Sequence, residues 1–290
     1  NDQWAIGGQA ILMDALGLAP SKDGIWSTTD QPGNPYTGTE NEFEYFPETE
    51  AASQALSAGP VAVGDGIGFS NRSLIMRSCM VDGRLLQPSA PAKLIDGILL
   101  HRASFPAPSS AFPSDGQVWT AVSDVAGRRF LYTFSADLDS SVALTTSHLA
   151  YFLGGAQQQK EEWWAVDVRA ALDCVEGQDA PCDSLRARKF SPHKPLELSQ
   201  NGKGDFQLLS LAPVEANGWA LAGELNKWVG VSQARYLEVT TTPESMLVEV
   251  KGSPGETVTM GFINPLGQVV VKKCSIPSEE VIKISPEECF

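Results

Sequence analysis

Asp65 is the carboxylate in this chain best placed for chemistry. It closes the run Gly59-Pro-Val-Ala-Val-Gly-Asp65 and is followed by Gly66-Ile67-Gly68. Residues 60–63 read as a short, fully buried strand. An apolar run alone does not separate a strand from a buried helix segment, but the flanking Pro and Gly favour the strand. Barrel enzymes carry their chemistry on charged residues at the ends of such strands. A carboxylate there can accept two hydroxyl hydrogen bonds at fixed geometry, which suits a sugar. The competing reading is a turn Asp that bonds its own backbone. Trp26 and Asp30 add an aromatic face and a second carboxylate in one loop, a platform on which the apolar face of a pyranose packs. The plainer alternative is a core indole beside a solvated acid. Asp23 and Asn71 are further candidates for the same mouth, whereas Arg77 reads as a salt-bridge partner within the fold. Glu161-Glu162-Trp163-Trp164 also invites a carbohydrate reading. Strand alternation predicts one of these indoles buried and the other exposed, so a structural role is favoured.

These residues need elements to hold them, and the chain divides into two textures. In the first, apolar residues from Trp4 to Leu16 predict a helix over 4–17, ending near Gly17 and Pro20. Residues 19–47 form a long irregular segment rich in Pro, Gly, Thr and aromatics, and a loop of that length inside a compact domain is usually functional. A helix from Glu48 to Ala58 follows, with Pro47 and Glu48 at its start, and a short helix is expected over 72–80. The Pro-rich hinge Gln87–Pro91 opens the second texture. Candidate strands there are 93–101, 117–124, 128–136, 142–146, 163–168, 194–198, 205–212, 218–224, 235–241, 246–251, 256–263, 268–274 and 280–284. Val125-Ala-Gly127 and Pro265-Leu-Gly267 read as hairpin turns. Residues 103–116 read as an exposed loop. Many short strands spaced by turn residues predict an antiparallel sandwich.

The chain has 290 residues, 42% hydrophobic and 19% charged, which argues for a folded globular protein. Its net charge of −14 disfavours nucleic acid as a partner, because phosphate binding needs clustered Lys and Arg. No apolar run approaches the roughly 20 residues needed to span a bilayer. The sequence calls for no cofactor: three His and no Cys-x-x-Cys offer no zinc pattern, and Gly64-Asp-Gly-Ile-Gly68 lacks the spacing of a dinucleotide loop. Of the five Cys, Cys174 and Cys182 bracket a small polar loop that a disulfide can close. Cys274 and Cys289 can form a second bridge, and Cys79 reads as a buried free thiol. Together with the glycosylation sequon Asn71-Arg72-Ser73, this favours a secreted or lumenal protein. The opening Asn1-Asp2-Gln3-Trp4, without Met or signal pattern, reads as a mature product or a piece of a longer chain.

In order, the chain presents an aromatic-rich loop, the Ala51-Ala52-Ser53-Gln54-Ala55 helix, the Gly-Pro-Val-x-Val-x-Asp strand end and Met80-Val81-Asp82-Gly83-Arg84. A strand-rich domain containing Phe206-Gln-Leu-Leu-Ser-Leu-Ala-Pro213 follows. That order resembles the C-terminal half of the alpha-galactosidase and raffinose-synthase clan of glycoside hydrolases. In that clan a closing barrel strand reads Gly-Gly-Pro-Val-Tyr-Val-Ser-Asp, and Trp26 would fall in an Asp-Trp-Asp loop. Ser27 and Thr28 depart from that loop, as Gly64 does from the strand. The resemblance implies the last βα units of a (β/α)8 barrel over 1–90 and an antiparallel β-sandwich over 91–290. It also implies part of a retaining glycoside hydrolase or glycosyl-transferring enzyme acting on alpha-linked sugars. Such enzymes use two carboxylates about 5–5.5 Å apart, and the nucleophile would lie upstream of Asn1. Asp65, Trp26, Asp30, Asp23 and Asn71 would bind the substrate. A non-catalytic carbohydrate-binding or protein-interaction β-sandwich module is the alternative.

Overall fold

A computed structural model describes residues 5–103, 112–113, 115–155, 162–177 and 182–290. The expectations for Asp2, Trp4, Glu161 and most of the 103–116 loop lie outside these. Helices α1 (Gly7–Ala15), α2 (Pro47–Leu56) and α3 (Arg72–Met76) precede strand β1 (Ala90–Leu94) and helix α4 (Asp96–Ala103). The hairpin β2 (Gln117–Val125) and β3 (Arg128–Ala136) follows, then β4 (Val142–Leu144), α5 (Ala150–Leu153), β5 (Trp163–Asp167) and α6 (Val168–Glu176). The remainder is strand: β6 (Arg188–Phe190), β7 (Leu196–Leu198), β8 (Phe206–Pro213), β9 (Ala220–Glu224), β10 (Tyr236–Thr241), β11 (Met246–Lys251), β12 (Thr257–Ile263), β13 (Val269–Ser275) and β14 (Val281–Ile284).

The fold differs from the expected barrel and sandwich. The strands divide among four open antiparallel sheets: β1-β2-β3-β8-β5-β6, β10-β11-β14, β13-β12-β9 and β4-β7. The helices are dispersed among them. Neither a closed (β/α)8 barrel nor a clear two-sheet sandwich is present among the described residues, so the alpha-galactosidase-like architecture is not borne out. The reason is local to the opening motif. Residues 60–63 do not form a buried strand: Ala62 and Val63 are exposed, and parallel pairing among the described residues is confined to one bridge, Ile25 to Val63. Pro60 has no N–H to give a ladder, and Gly59 and Gly64 bound a stretch too short for a βαβ unit. Gly59 is itself required, because a Cβ there would stand 2.1 Å from the Pro20 carbonyl oxygen.

Other elements fell partly where the residues suggested. The Ala126-Gly127 turn joins β2 to β3 with φ of 49° and 75° at its two residues, the left-handed pair that a two-residue hairpin needs. The run expected as a strand over 93–101 instead splits into β1 and α4. The predicted alternation at Trp163 and Trp164 fails, because both faces of β5 are covered and both indoles are buried. The disulfides Cys174–Cys182 and Cys274–Cys289 are both formed, and Cys79 is a buried free thiol. Two such bridges fit an oxidising environment. No described helix is long and apolar enough to cross a membrane.

The large sheet is the scaffold. Trp119 and Phe134 stack with centroids 5.0 Å apart, Phe134 and Phe206 at 5.3 Å, and the stack ends on Trp228. Ile25, Ala52, Leu56 and Leu74 from the N-terminal segments join that same core. A second core lies under β9 to β14. Between the cores sits a buried charge cluster. The Arg235 guanidinium, fully buried, donates to Glu224 at 2.9 Å and 3.3 Å and to Glu256 at 3.1 Å and 2.5 Å. Lys227 donates at 2.8 Å to the carbonyls of both Met76 and Cys79, and Glu256 accepts from the Val81 N–H. Two cations thus face two carboxylates, and their spare valences hold the 76–81 segment.

Removing Arg235 alone strands two buried carboxylates, which costs about 3–5 kcal/mol in such sites. Arg235→Met is therefore expected to lower the urea midpoint by a corresponding amount. A shift of less than about 1 kcal/mol would mean that the cluster is already neutral or wet.

Candidate functional site

α2 organises the site from below. From Thr49 to Leu56 all its residues are buried, so it runs through the interior and not along a surface. Its Gln54 amide donates to the Asp23 carbonyl at 3.1 Å and to the Ala62 carbonyl at 3.3 Å, spanning the two bridged segments. Thr49 Oγ1 donates to the Gly204 carbonyl at 2.5 Å. Gly204 adopts φ 73°, and a Cβ there would enter the Phe46 ring at 2.2 Å. This packing brings Lys203 beside the start of α2, although it is about 150 residues away in sequence.

The segment before α2 is a closed excursion. Asp30 bridges Phe43, and the Glu44 N–H donates to the Thr29 carbonyl at 2.9 Å, so residues 31–42 leave and return at one point. Asn34 holds the interior of this Ω-like loop, donating to the carbonyls of Gln31 at 2.9 Å and Glu42 at 3.2 Å while accepting from the Tyr36 N–H.

A cavity of about 710 Å³ opens between this loop, the 23–26 segment and Lys203. Its walls combine the rings of Trp26, Tyr36 and Tyr45 with the carboxylates of Asp23, Glu40 and Glu44. Trp26 and Tyr36 lie with centroids 6.1 Å apart at 48°. Burial raises the Glu44 carboxyl above its ordinary value, against the Phe46 N–H bond and the Lys22 charge that lower it. Burial likewise raises Glu50 although it is ion-paired to Lys22.

The five residues expected to bind substrate separate into two pairs and one residue apart. Trp26 and Asp23 line the cavity. Asp65 and Asn71 meet instead on Ser27. The Asp65 carboxylate accepts from the Ser27 N–H at 2.7 Å, the Ser27 hydroxyl at 2.5 Å and the Gln31 amide at 2.9 Å. The Asn71 N–H donates to Ser27 Oγ at 2.7 Å, and its side chain caps α3 through the Leu74 N–H. The Gln31 side-chain oxygen Oε1 accepts from the Gly66 N–H at 2.7 Å. Asp65 thus clips the 25–31 segment to the 64–71 segment and fixes the backbone next to Trp26. Asp30 is exposed at the neck of the loop, where its carbonyl accepts from Thr28 Oγ1. Arg77 bridges Glu48 and Glu176 at 2.7 Å and 2.8 Å. Glu162 pairs with Lys189 at 2.7 Å. Tyr36, Glu40, Glu44, Tyr45 and Lys203 were not foreseen. The aromatic richness of residues 19–47 was the available signal for the first four, and Lys203 had none.

Among the described residues no group of three or more His, Cys, Asp or Glu gathers to hold a metal. Compared with known protein families and with curated proteins, the chain matches none, so the clan resemblance gains no support there either.

Two outcomes follow from this geometry. Asp65→Asn turns an amide N–H₂ toward donors and is expected to cost about 1–3 kcal/mol in urea unfolding. An unchanged midpoint would show that the clip contributes nothing. Glu44 is raised in the folded state, so its contribution to stability is present at low pH and lost as pH rises through the raised value. Glu44→Gln should therefore melt higher than the native chain at neutral pH, with the gap closing in acid. A pH-independent gap would contradict that.

Proposed function

We propose that this chain recognises carbohydrate in the cavity between the 31–42 loop and the 23–26 segment. The observation that carries the reading is the pairing of Trp26 and Tyr36 rings with several carboxylates in one cavity of about 710 Å³. A pyranose has one apolar face, which packs on an aromatic ring, and a rim of hydroxyls, which donate to carboxylates. The volume falls within the range of roughly 300–1,000 Å³ common to small-ligand sites. Asp65, Asn71 and Ser27 support the same reading indirectly, because they fix the backbone that carries Trp26.

A hydrolytic reading is favoured by one further observation. Burial raises the Glu44 carboxyl above its ordinary value within this cavity, and a raised carboxyl is the kind of group that protonates a glycosidic oxygen. In that case Glu44 donates the proton and a second carboxylate, Asp23 or Glu40, assists at the anomeric carbon. The two disulfides and the exposed Asn71 of the Asn71-Arg72-Ser73 sequon support a secreted or lumenal setting for either role.

The decisive measurement is a saccharide titration of the intact chain followed by tryptophan fluorescence, with Trp26→Ala and Tyr36→Ala alongside. Each substitution should weaken saccharide binding by about tenfold or more while the fold is retained. Absence of saccharide binding by the intact chain removes the proposal. Unaltered turnover of aryl glycosides by Glu44→Gln removes the hydrolytic form of it.

A further inference from the structure

We infer that the cavity selects a cationic amino sugar, a saccharide carrying a free ammonium group, over neutral and anionic sugars. The inference deepens the carbohydrate reading of this cavity and rests on it.

The charge balance of the walls is the first argument. Asp23, Glu40, Glu44 and Glu50 face the space, against Lys203 alone among the lining cations. Glu50 is neutralised from behind by the buried Lys22, which leaves three carboxylates to one ammonium. A neutral sugar can donate hydroxyls to single carboxylates but carries no charge for their net negative field to attract. An anionic sugar is repelled by it. The aromatic walls point the same way, because the faces of Trp26, Tyr36 and Tyr45 carry the negative side of the ring quadrupole and attract cations. A ligand with an apolar sugar face and an ammonium group satisfies both kinds of wall at once.

A metal ion is the other cation to weigh. The carboxylates do not converge on a point, since no group of three metal-ligating side chains gathers among the described residues. A field spread over a wide cavity suits an organic cation, which makes a few separate ionic hydrogen bonds in place of a coordination sphere. The desolvated position of Glu44 agrees: burial disfavours its ionised form, and an ammonium beside it restores that form.

The experiment uses the intact chain and three oligosaccharides of equal length and linkage. These are a β-1,4-linked glucosamine tetramer, its fully N-acetylated form and the corresponding glucose tetramer. Affinities are measured by calorimetry at low and high salt. The free-amine tetramer should bind at least about tenfold more tightly than the other two at low salt, and the advantage should shrink at high salt. Asp23→Asn and Glu44→Gln should each remove most of the advantage of the free-amine tetramer over the N-acetylated one, whatever they cost the affinity of both. Asp23 is exposed, so its variant guards against loss of fold in the other. Equal affinities for the three tetramers overturn the inference and leave the carbohydrate reading standing. Binding of none overturns both. An amine preference that survives both substitutions overturns the assignment to these carboxylates.

Discussion

A single buried guanidinium holds the two halves of this molecule in register. Arg235 lies between Glu224 and Glu256 with no exposure to water. Its arrangement is balanced: desolvation favours neutral carboxyls, and the guanidinium, which stays charged in proteins, opposes that. The outcome differs at the two ends. Burial leaves Glu224 above its ordinary value. Burial also pushes Glu256 upward, but Arg235 and the N–H groups of Ser253 and Val81 bring it below. Glu256 is thus the firmly ionised partner, and it is also the one that grips the segment leading out of α3. Lys227 grips that segment a few residues earlier through two carbonyls. The N-terminal helices are tied to the far sheets by charge as well as by packing.

This tie explains how a chain with small, separate sheets keeps one arrangement. Each of the smaller sheets has only two or three strands, and a sheet of that size is marginal alone. The aromatic stack from Trp119 to Trp228 carries the large sheet's burial to the N-terminal helices, and Arg77, lying over the Trp228 ring while pairing with Glu48 and Glu176, closes the remaining gap. The side chains that unite the sheets come mostly from loops and strand ends.

Sequence reading reached the features whose cause is local. The Ala126-Gly127 turn, the start of α2 at Pro47 and both disulfides each depend on residues close together in the chain. It failed where the cause is distant. Gly59-Pro60 to Asp65 has the composition of a barrel strand, yet a strand is buried only if something covers it, and composition does not say whether anything does. β5 runs straight into α6 through Asp167, which caps the helix by accepting from the Ala170 N–H, and the sequence reading placed the strand at 163–168 but missed the helix that follows. Trp26 and Asp23, singled out by residue type, line the cavity. Asp65 was singled out too, but it lies outside the cavity lining, as a clip on Ser27 and Gln31. Lys203 was invisible because only the fold brings it near.

The position of Lys203 has a mechanical consequence. Its neighbour Gly204 is held by Thr49 of α2 on one side and by Asp137, next to the end of β3, on the other, and Arg169 binds the adjacent Asp205 and Phe206. One lip of the cavity is therefore an outgrowth of the central sheet, whereas the opposite lip is a self-contained loop. The cavity's shape is thus set by two separate scaffolds, one tethered to distant parts of the chain and the other held mainly by bonds within its own segment.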